Sequence, residues 1–185
     1  MLLPMSQLSP AIFFDRDGTL IEDVHYCKDP EHVRVLPGVL EALRRLKQAG
    51  FRHIIITNQS AIGRGYMTSA DYNAVHARTL ELIGAGLLDG AYYCADSPEN
   101  PSTHRKPATG MVFDAAREHA LELSKSWFVG DKLIDVECGR AAGTRTVLVL
   151  TGRGTAADGA NADFIARDLA EAADFILKSS DASPR

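Results

Sequence analysis

Short runs of consecutive apolar residues punctuate this chain, separated by longer stretches in which apolar positions recur every three or four residues. The runs fall at 11–14, 53–57, 91–94, 126–130, 146–150 and 163–165. None alternates apolar with polar, which is the pattern of a strand covered on both faces. Pro37-Gly38 opens a helix with Val39, Leu40, Leu43 and Leu46 on one face and Glu41, Arg44, Arg45 and Lys47 on the other, and Ala49-Gly50 closes it. Thr68 or Ser69 caps a second helix with Asp71 in its first turn and Val75, Leu82 and Ile83 as apolar positions, ending at Gly84-Ala85-Gly86. Further helices are expected over 111–121 (Met111, Ala115 and Ala116 inward), 134–142 and 169–177. Residues 21–35 read as a loop or short hairpin leaning over the end of the first strand, 61–67 as a glycine-bearing loop, and 95–110 as a loop with the basic run His104-Arg105-Lys106.

Strands alternating with amphipathic helices make βαβ units and a parallel α/β sheet. No repeat or linker interrupts the pattern, so one domain is expected over 11–178, after an extension at 1–10 and before a disordered tail at 179–185. A chain of 185 residues, 45% hydrophobic, buries a core without covalent staples. Its formal net charge of −4 gives no electrostatic reason for nucleic acid or an anionic membrane as partner. No apolar run approaches the roughly 18 residues of a membrane span, and residues 1–10 lack the basic region of a signal peptide. Cys27, Cys94 and Cys138 form no Cys-x-x-Cys pair and suit a reducing cytoplasm. The expectation is a cytoplasmic monomer.

The strand ends hold the chemistry. Strands of a parallel sheet end on one edge, where open α/β sheets bind ligands. The first delivers Asp15 and Asp17, the second Thr57-Asn58, the fourth Asp131, and the loop carrying Arg105-Lys106 returns over the same edge. Asp15 and Asp17, one residue apart, repel unless a cation or a shared proton relieves them. Carboxylates with a hydroxyl and an amide suit a hard divalent cation such as Mg²⁺, which favours a few carboxylates plus phosphate oxygens. Lys106 balances a phosphoryl group that the carboxylates alone would repel. Taken singly, each has a plainer reading: an acidic surface turn at Asp15 and Asp17, a helix N-cap at Asp131, a solvated loop lysine at Lys106, turn chemistry at Thr57-Asn58. Their order and shared edge favour the joint reading.

Asp15-Arg16-Asp17-Gly18-Thr19, Thr57-Asn58-Gln59-Ser60, Arg105-Lys106-Pro107 and Gly130-Asp131-Lys132 resemble the four ordered motifs of the haloacid dehalogenase-like (HAD-like) phosphatases. Asn58-Gln59-Ser60 followed by Ile62-x-Arg64-Gly65, with Gly130-Asp131-Lys132-Leu133, resembles the branch whose members hydrolyse D-glycero-D-manno-heptose 1,7-bisphosphate or histidinol phosphate. The resemblance implies a three-layer α/β/α Rossmann-like sheet. No separate cap domain fits the short intervals after the first strand or before Arg105. It implies Asp15 as the nucleophile that forms an aspartyl-phosphate and Asp17 as the general acid and base. Mg²⁺ is then held by the Asp15 carboxylate, the Asp17 main-chain carbonyl and the Asp131 carboxylate. Thr57 and Lys106 hold the transferring phosphoryl oxygens. Arg16, Asp23, Val24, His25, Tyr26, Asn58, Gln59, Ser60, Arg64, Arg105 and Lys132 contact a small sugar phosphate.

The chain departs from the family in one place. Many members carry a zinc loop just before Arg-Lys-Pro, built from Cys-Pro-His-His and Cys-x-Cys. Here Cys94 is followed by Ala95-Asp96-Ser97-Pro98 and no Cys-x-Cys precedes Arg105. One cysteine with His104 does not make a four-ligand site, so no structural zinc is expected. Heptose 1,7-bisphosphate is the leading substrate and histidinol phosphate the alternative; the latter's cationic amine calls for extra acidic residues around the pocket. A different class, a phospho-accepting signalling domain, also carries strand-end acids, a Thr and a Lys. It puts its acidic pair and phosphorylated Asp on separate strands, however, and does not need Asp17.

Overall fold

The computed structural model describes residues 8–181. Six strands, β1 (Ala11–Phe14), β2 (Arg52–Asn58), β3 (Gly90–Cys94), β4 (Trp127–Gly130), β5 (Arg145–Val149) and β6 (Phe164–Ala166), form one sheet in the order β3-β2-β1-β4-β5-β6. Every pairing is parallel. The chain winds outward from β1 to β3, then returns to the other side of β1 for β4. β1 and β4 are therefore neighbours at the topological switch point, where the connections diverge and leave a crevice.

The apolar runs become strands because both faces are covered, and side-chain alternation divides each run between two cores. Ile12, Phe14, Ile55, Trp127 and Val129 point to one layer, against α1 (Val39–Gln48) and α6 (Leu169–Asp181). Ala11, Phe13, Ile54, Ile56 and Phe128 point to the other, against α4 (Gly110–Glu118) and α5 (Leu133–Ala141). Each such fully buried large side chain contributes roughly 1.5–3 kcal/mol, enough to fix strand register and hence where each strand ends. α3 (Ser69–Ile83), capped by Thr68 and Asp71 as expected, leans off the sheet and packs Val75 on Ile21, Cys27 and Val33. The 21–35 loop is closed by an antiparallel bridge between Ile21 and Val35, which folds it back over the end of β1.

Some boundaries differ from the sequence reading. Residues 61–67 contain a short helix, α2 (Ser60–Gly63), because the peptide groups after β2 turn inward toward residue 95, where Gly63 donates to the Ala95 carbonyl. α4 stops at Glu118: Ala120 takes a left-handed φ of 51°, and Leu121 instead bridges Ser9. α6 runs through Ser179 and Ser180, with the Ser180 hydroxyl donating to the Ile176 carbonyl, so the expected disordered tail does not begin at 179. Residues 1–7 of the expected extension and 182–185 of the tail lie outside the described residues. Among the described residues no helix is long and apolar enough to cross a membrane.

Ser126 joins β1 to β4 at their amino ends. Its buried hydroxyl accepts from the Ala11 N–H at 2.9 Å and donates to the Glu122 carbonyl at 2.6 Å. Ser126→Ala strands that buried N–H and is expected to cost about 1–3 kcal/mol. Denaturant unfolding should show a lower midpoint at an unchanged slope; an unchanged midpoint would contradict the packing described.

Candidate active site

Asp15 directly follows β1, and its N–H still donates to the Val129 carbonyl at 3.0 Å, so the strand ladder sets its position. The chain then turns at Gly18, whose φ is +91°. A Cβ there would lie 2.6 Å from Asp131 Oδ2, so only glycine allows the turn to press against the acid at the end of β4. Asp15 and Asp131 thus meet at the switch point.

Lys106 reaches the same place from the loop before α4. Its buried ammonium donates to Asp15 Oδ1 and to the Ile56 carbonyl, each at 2.7 Å, and lies 2.7 Å from Asp135 Oδ1. Two of its three N–H groups are spent on hydrogen bonds, and Asp135 is met as an ion pair. Asn58, at the end of β2, fixes that loop by exchanging hydrogen bonds with the Lys106 main chain in both directions at 3.0 Å. Burial disfavours a charged lysine, but the charges of Asp135 and Asp15 outweigh it and hold the Lys106 pKa above its ordinary value. Burial likewise opposes ionisation of Asp15, yet Lys106 and Lys132 keep its carboxyl below the usual range.

Asp131 is in the opposite condition. Its Oδ2 accepts from the Arg153 N–H at 2.9 Å, while its Oδ1 is buried with no hydrogen-bond partner. Burial, then the nearby Asp15 charge, push its pKa up to about 7. Asp15, Asp131 and Asp135 each bring a ligand oxygen within 4.8 Å of the others. Lys106 alone contacts two of these three acids, leaving Asp131 with Lys132 at 3.6 Å as its nearest cation. An oxygen-only donor set with excess negative charge and a partnerless buried oxygen fits a hard divalent cation.

Above this floor lies a pocket of about 240 Å³ lined by Arg16, Asp17, Asp23, Val24, His25, Tyr26, Cys27, Asn58, Gln59, Ser60, Ala61, Lys132 and Arg153. Asp17 accepts from Arg16 through both oxygens at 3.1 Å and from Gln59 at 2.9 Å; Gln59 also donates to Thr57 Oγ1 at 2.9 Å. Tyr26 holds a left-handed φ of 55°, and its ring packs against His25 at a tilt of 38° with centroids 3.9 Å apart.

The structure therefore brings together Asp15, Thr57, Lys106 and Asp131 as a buried floor, with most of the expected substrate contacts lining the pocket above. Two of those residues stand apart from that lining. Arg64 donates to the Tyr26 hydroxyl at 2.9 Å and to Glu99 at 2.7 Å, bracing the pocket wall. Arg105 donates to the Asp96 carbonyl at 2.7 Å and ties down the 95–110 loop, which Asp96 also closes by accepting from the Ser102 N–H. Asp131 is not a helix cap, since Lys132 holds the N-cap position of α5.

Two elements escaped the sequence reading. Asp135, in the first turn of α5, partners Lys106 while its Oδ2 accepts from the Lys132 N–H. The 151–154 segment after β5 wraps Asp131: a Cβ on Gly152 would lie 1.9 Å from Asp131 Oδ2, and one on Gly154 1.7 Å from its carbonyl oxygen. Thr151 Oγ1 donates to the Gly18 carbonyl at 2.7 Å. A cation between two glycines, just past a strand on the reactive edge, was the available signal.

A family model described as HAD-hydrolase-like matches residues 103–172. A D-glycero-D-manno-heptose-1,7-bisphosphate 7-phosphatase of Thermosynechococcus vestitus is 39% identical over 90% of this chain and 95% of its own length. The D-glycero-beta-D-manno-heptose-1,7-bisphosphate 7-phosphatase of Yersinia pestis is 36% identical over 90% and 95%. Among solved structures, the D,D-heptose 1,7-bisphosphate phosphatase of B. bronchiseptica, complexed with magnesium and phosphate, superposes with a TM-score of 0.84 at 34% identity, covering 92% of this chain and 99% of that one. The chain belongs to the HAD-like phosphatases and is a phosphoric monoester hydrolase.

Proposed function

We propose that this phosphatase hydrolyses D-glycero-D-manno-heptose 1,7-bisphosphate at its 7-phosphate, in a Mg²⁺-dependent reaction through an aspartyl-phosphate at Asp15. The observation that carries the reading is the Asp15 carboxylate, held ionised by Lys106 at the floor of the pocket beside the partnerless oxygen of Asp131.

Asp15 offers a carboxylate oxygen to phosphorus from a backbone position fixed by the β1–β4 ladder. As the new O–P bond forms, the bond to the sugar oxygen breaks and its electron pair leaves with that oxygen, which takes a proton from Asp17. Water then attacks the same phosphorus, gives a proton back to Asp17, and releases phosphate while Asp15 regains its carboxylate. Lys106 and the Thr57 hydroxyl hold phosphoryl oxygens, so charge building on them meets donors already in place. Gln59, bonded to both Asp17 and Thr57, couples the acid's orientation to the phosphoryl site. The Asp15 and Asp131 carboxylates and the Asp17 main-chain carbonyl would hold Mg²⁺, whose charge offsets the repulsion between carboxylates and phosphate. The relatives at 35–40% identity supply the substrate name. The pocket supports it: Arg16, Lys132 and Arg153 line it with Asp17 and Asp23, and Asp23 is already paired with two of those cations. That leaves little free acid for the ammonium of histidinol phosphate.

Phosphate release from heptose 1,7-bisphosphate, histidinol phosphate and hexose phosphates tests the reading. Fast release from the heptose bisphosphate, abolished by EDTA and restored by Mg²⁺, is expected; preference for histidinol phosphate would overturn it. Asp15→Asn should reduce turnover to background while leaving the fold intact by circular dichroism, and residual activity near wild type would remove Asp15 from the chemistry.

Asp131 yields a test independent of turnover. Its folded pKa of about 7 lies above the ordinary aspartate value of 3.8, so the folded state holds the proton more tightly. Metal-free stability therefore falls as pH rises between those values. At pH 8 in EDTA, Asp131→Asn should melt above wild type while losing the wild-type rise in melting temperature on adding Mg²⁺. A variant that melts lower in EDTA, or still gains from Mg²⁺, would contradict the assignment.

A further inference from the structure

We propose that Arg153 forms an anion subsite at the rim of the pocket and selects substrates bearing a second phosphate. The inference rests on the sugar-bisphosphate reading above and assigns the residue that recognises the non-reacting phosphate.

The argument begins with the cations lining the pocket and what each already contacts. Arg16 is 1% exposed and spends its Nε and Nη2 on both oxygens of Asp17. Lys132 sits between Asp23 at 3.4 Å and Asp131 at 3.6 Å, directed to the floor. Arg153 approaches Asp23 most closely through Nε, at 2.9 Å, and its side chain is 53% exposed. Among the described residues neither of its Nη atoms donates a hydrogen bond. The outer fork of a planar guanidinium is thus free, and it is the group best shaped for two oxygens of a phosphate.

The surrounding charge agrees. The pocket lining carries the cations Arg16, Lys132 and Arg153 against the acids Asp17 and Asp23, one positive charge over. An anionic group arriving there is attracted without displacing the Asp23 contact.

Position is fixed as well as charge. Gly152 and Gly154 pack directly on Asp131, the Arg153 N–H donates to Asp131 Oδ2, and Thr151 is tied to the turn at Gly18. The main chain of Arg153 therefore touches the floor where one phosphate reacts, while its side chain runs to Asp23 at the rim. A sugar phosphorylated at both ends spans that direction.

Steady-state kinetics on wild type, Arg153→Gln and Arg153→Lys test this, using two matched pairs: heptose 1,7-bisphosphate against heptose 7-phosphate, and fructose 1,6-bisphosphate against fructose 6-phosphate. The readout is the ratio of kcat/KM for each bisphosphate to that for its monophosphate. Arg153→Gln should lower the ratio at least tenfold, through KM of the bisphosphate. Arg153→Lys, which keeps the charge and loses the fork, should fall between. Equal losses on both members of a pair would show that Arg153 only braces Asp23, and an unchanged ratio would show that it contacts neither phosphate; either overturns the subsite. A wild type that prefers the fructose bisphosphate and not the heptose one sinks the substrate reading alone, because the fructose pair still judges Arg153. A wild type preferring neither bisphosphate contradicts the subsite itself.

Discussion

Three carboxylates and one ammonium buried at the carboxyl ends of β1 and β4 are the constraint on which this structure turns. Removing charges from water costs several kcal/mol per ion unless each is paired and hydrogen-bonded. Lys106 is the paired cation of both Asp15 and Asp135 at 2.7 Å and also donates to the Ile56 carbonyl. Asp131 is left with an oxygen that no donor reaches. The fold thus pairs two of the acids with one ammonium at 2.7 Å and leaves the third no cation nearer than 3.6 Å, a distribution that a merely structural ion-pair network has no reason to adopt.

The scaffold serves that cluster closely. A parallel sheet with β1 beside β4 is needed for Asp15 and Asp131 to meet. The dense packing of both faces fixes the register that ends the two strands at the same level. Around them, Gly18, Gly152 and Gly154 let two backbone segments approach Asp131 more closely than any side chain permits. The pocket wall is less tightly determined, since Tyr26 is held in a left-handed conformation by partners on two other loops, Arg64 and, through it, Glu99.

How much of this was legible in the sequence depended on whether a signal was local. Apolar runs ending in Asp15 and Asp131 could be read because a buried strand and an abrupt polar residue are both short-range patterns. Thr57, Asn58 and Lys106 were legible through order and the shared edge, though Asn58's clamp on the Lys106 main chain spans 48 positions and leaves no local mark. Asp135 looked like an ordinary first-turn acid, favourable to any helix; only the proximity of Lys106 gives it a second task. The 151–154 segment carries no decisive local mark, because glycines after a strand suit any turn, whereas their close approach to Asp131 is a property of the folded state. The end of α6 was misplaced because Ser179 and Ser180 are weak helix formers, and the bond of the Ser180 hydroxyl back to the Ile176 carbonyl leaves no mark in the sequence.

The most direct test of the central claim, that the Lys106-paired Asp15 is the group that takes the phosphoryl, is chemical trapping during turnover. Enzyme mixed rapidly with heptose 1,7-bisphosphate and Mg²⁺, quenched and reduced with borohydride, would be mapped by peptide mass spectrometry. The account predicts conversion of Asp15 to homoserine, dependent on substrate and absent without Mg²⁺. Reduction at any other carboxylate, or turnover with no trapped residue, would contradict it.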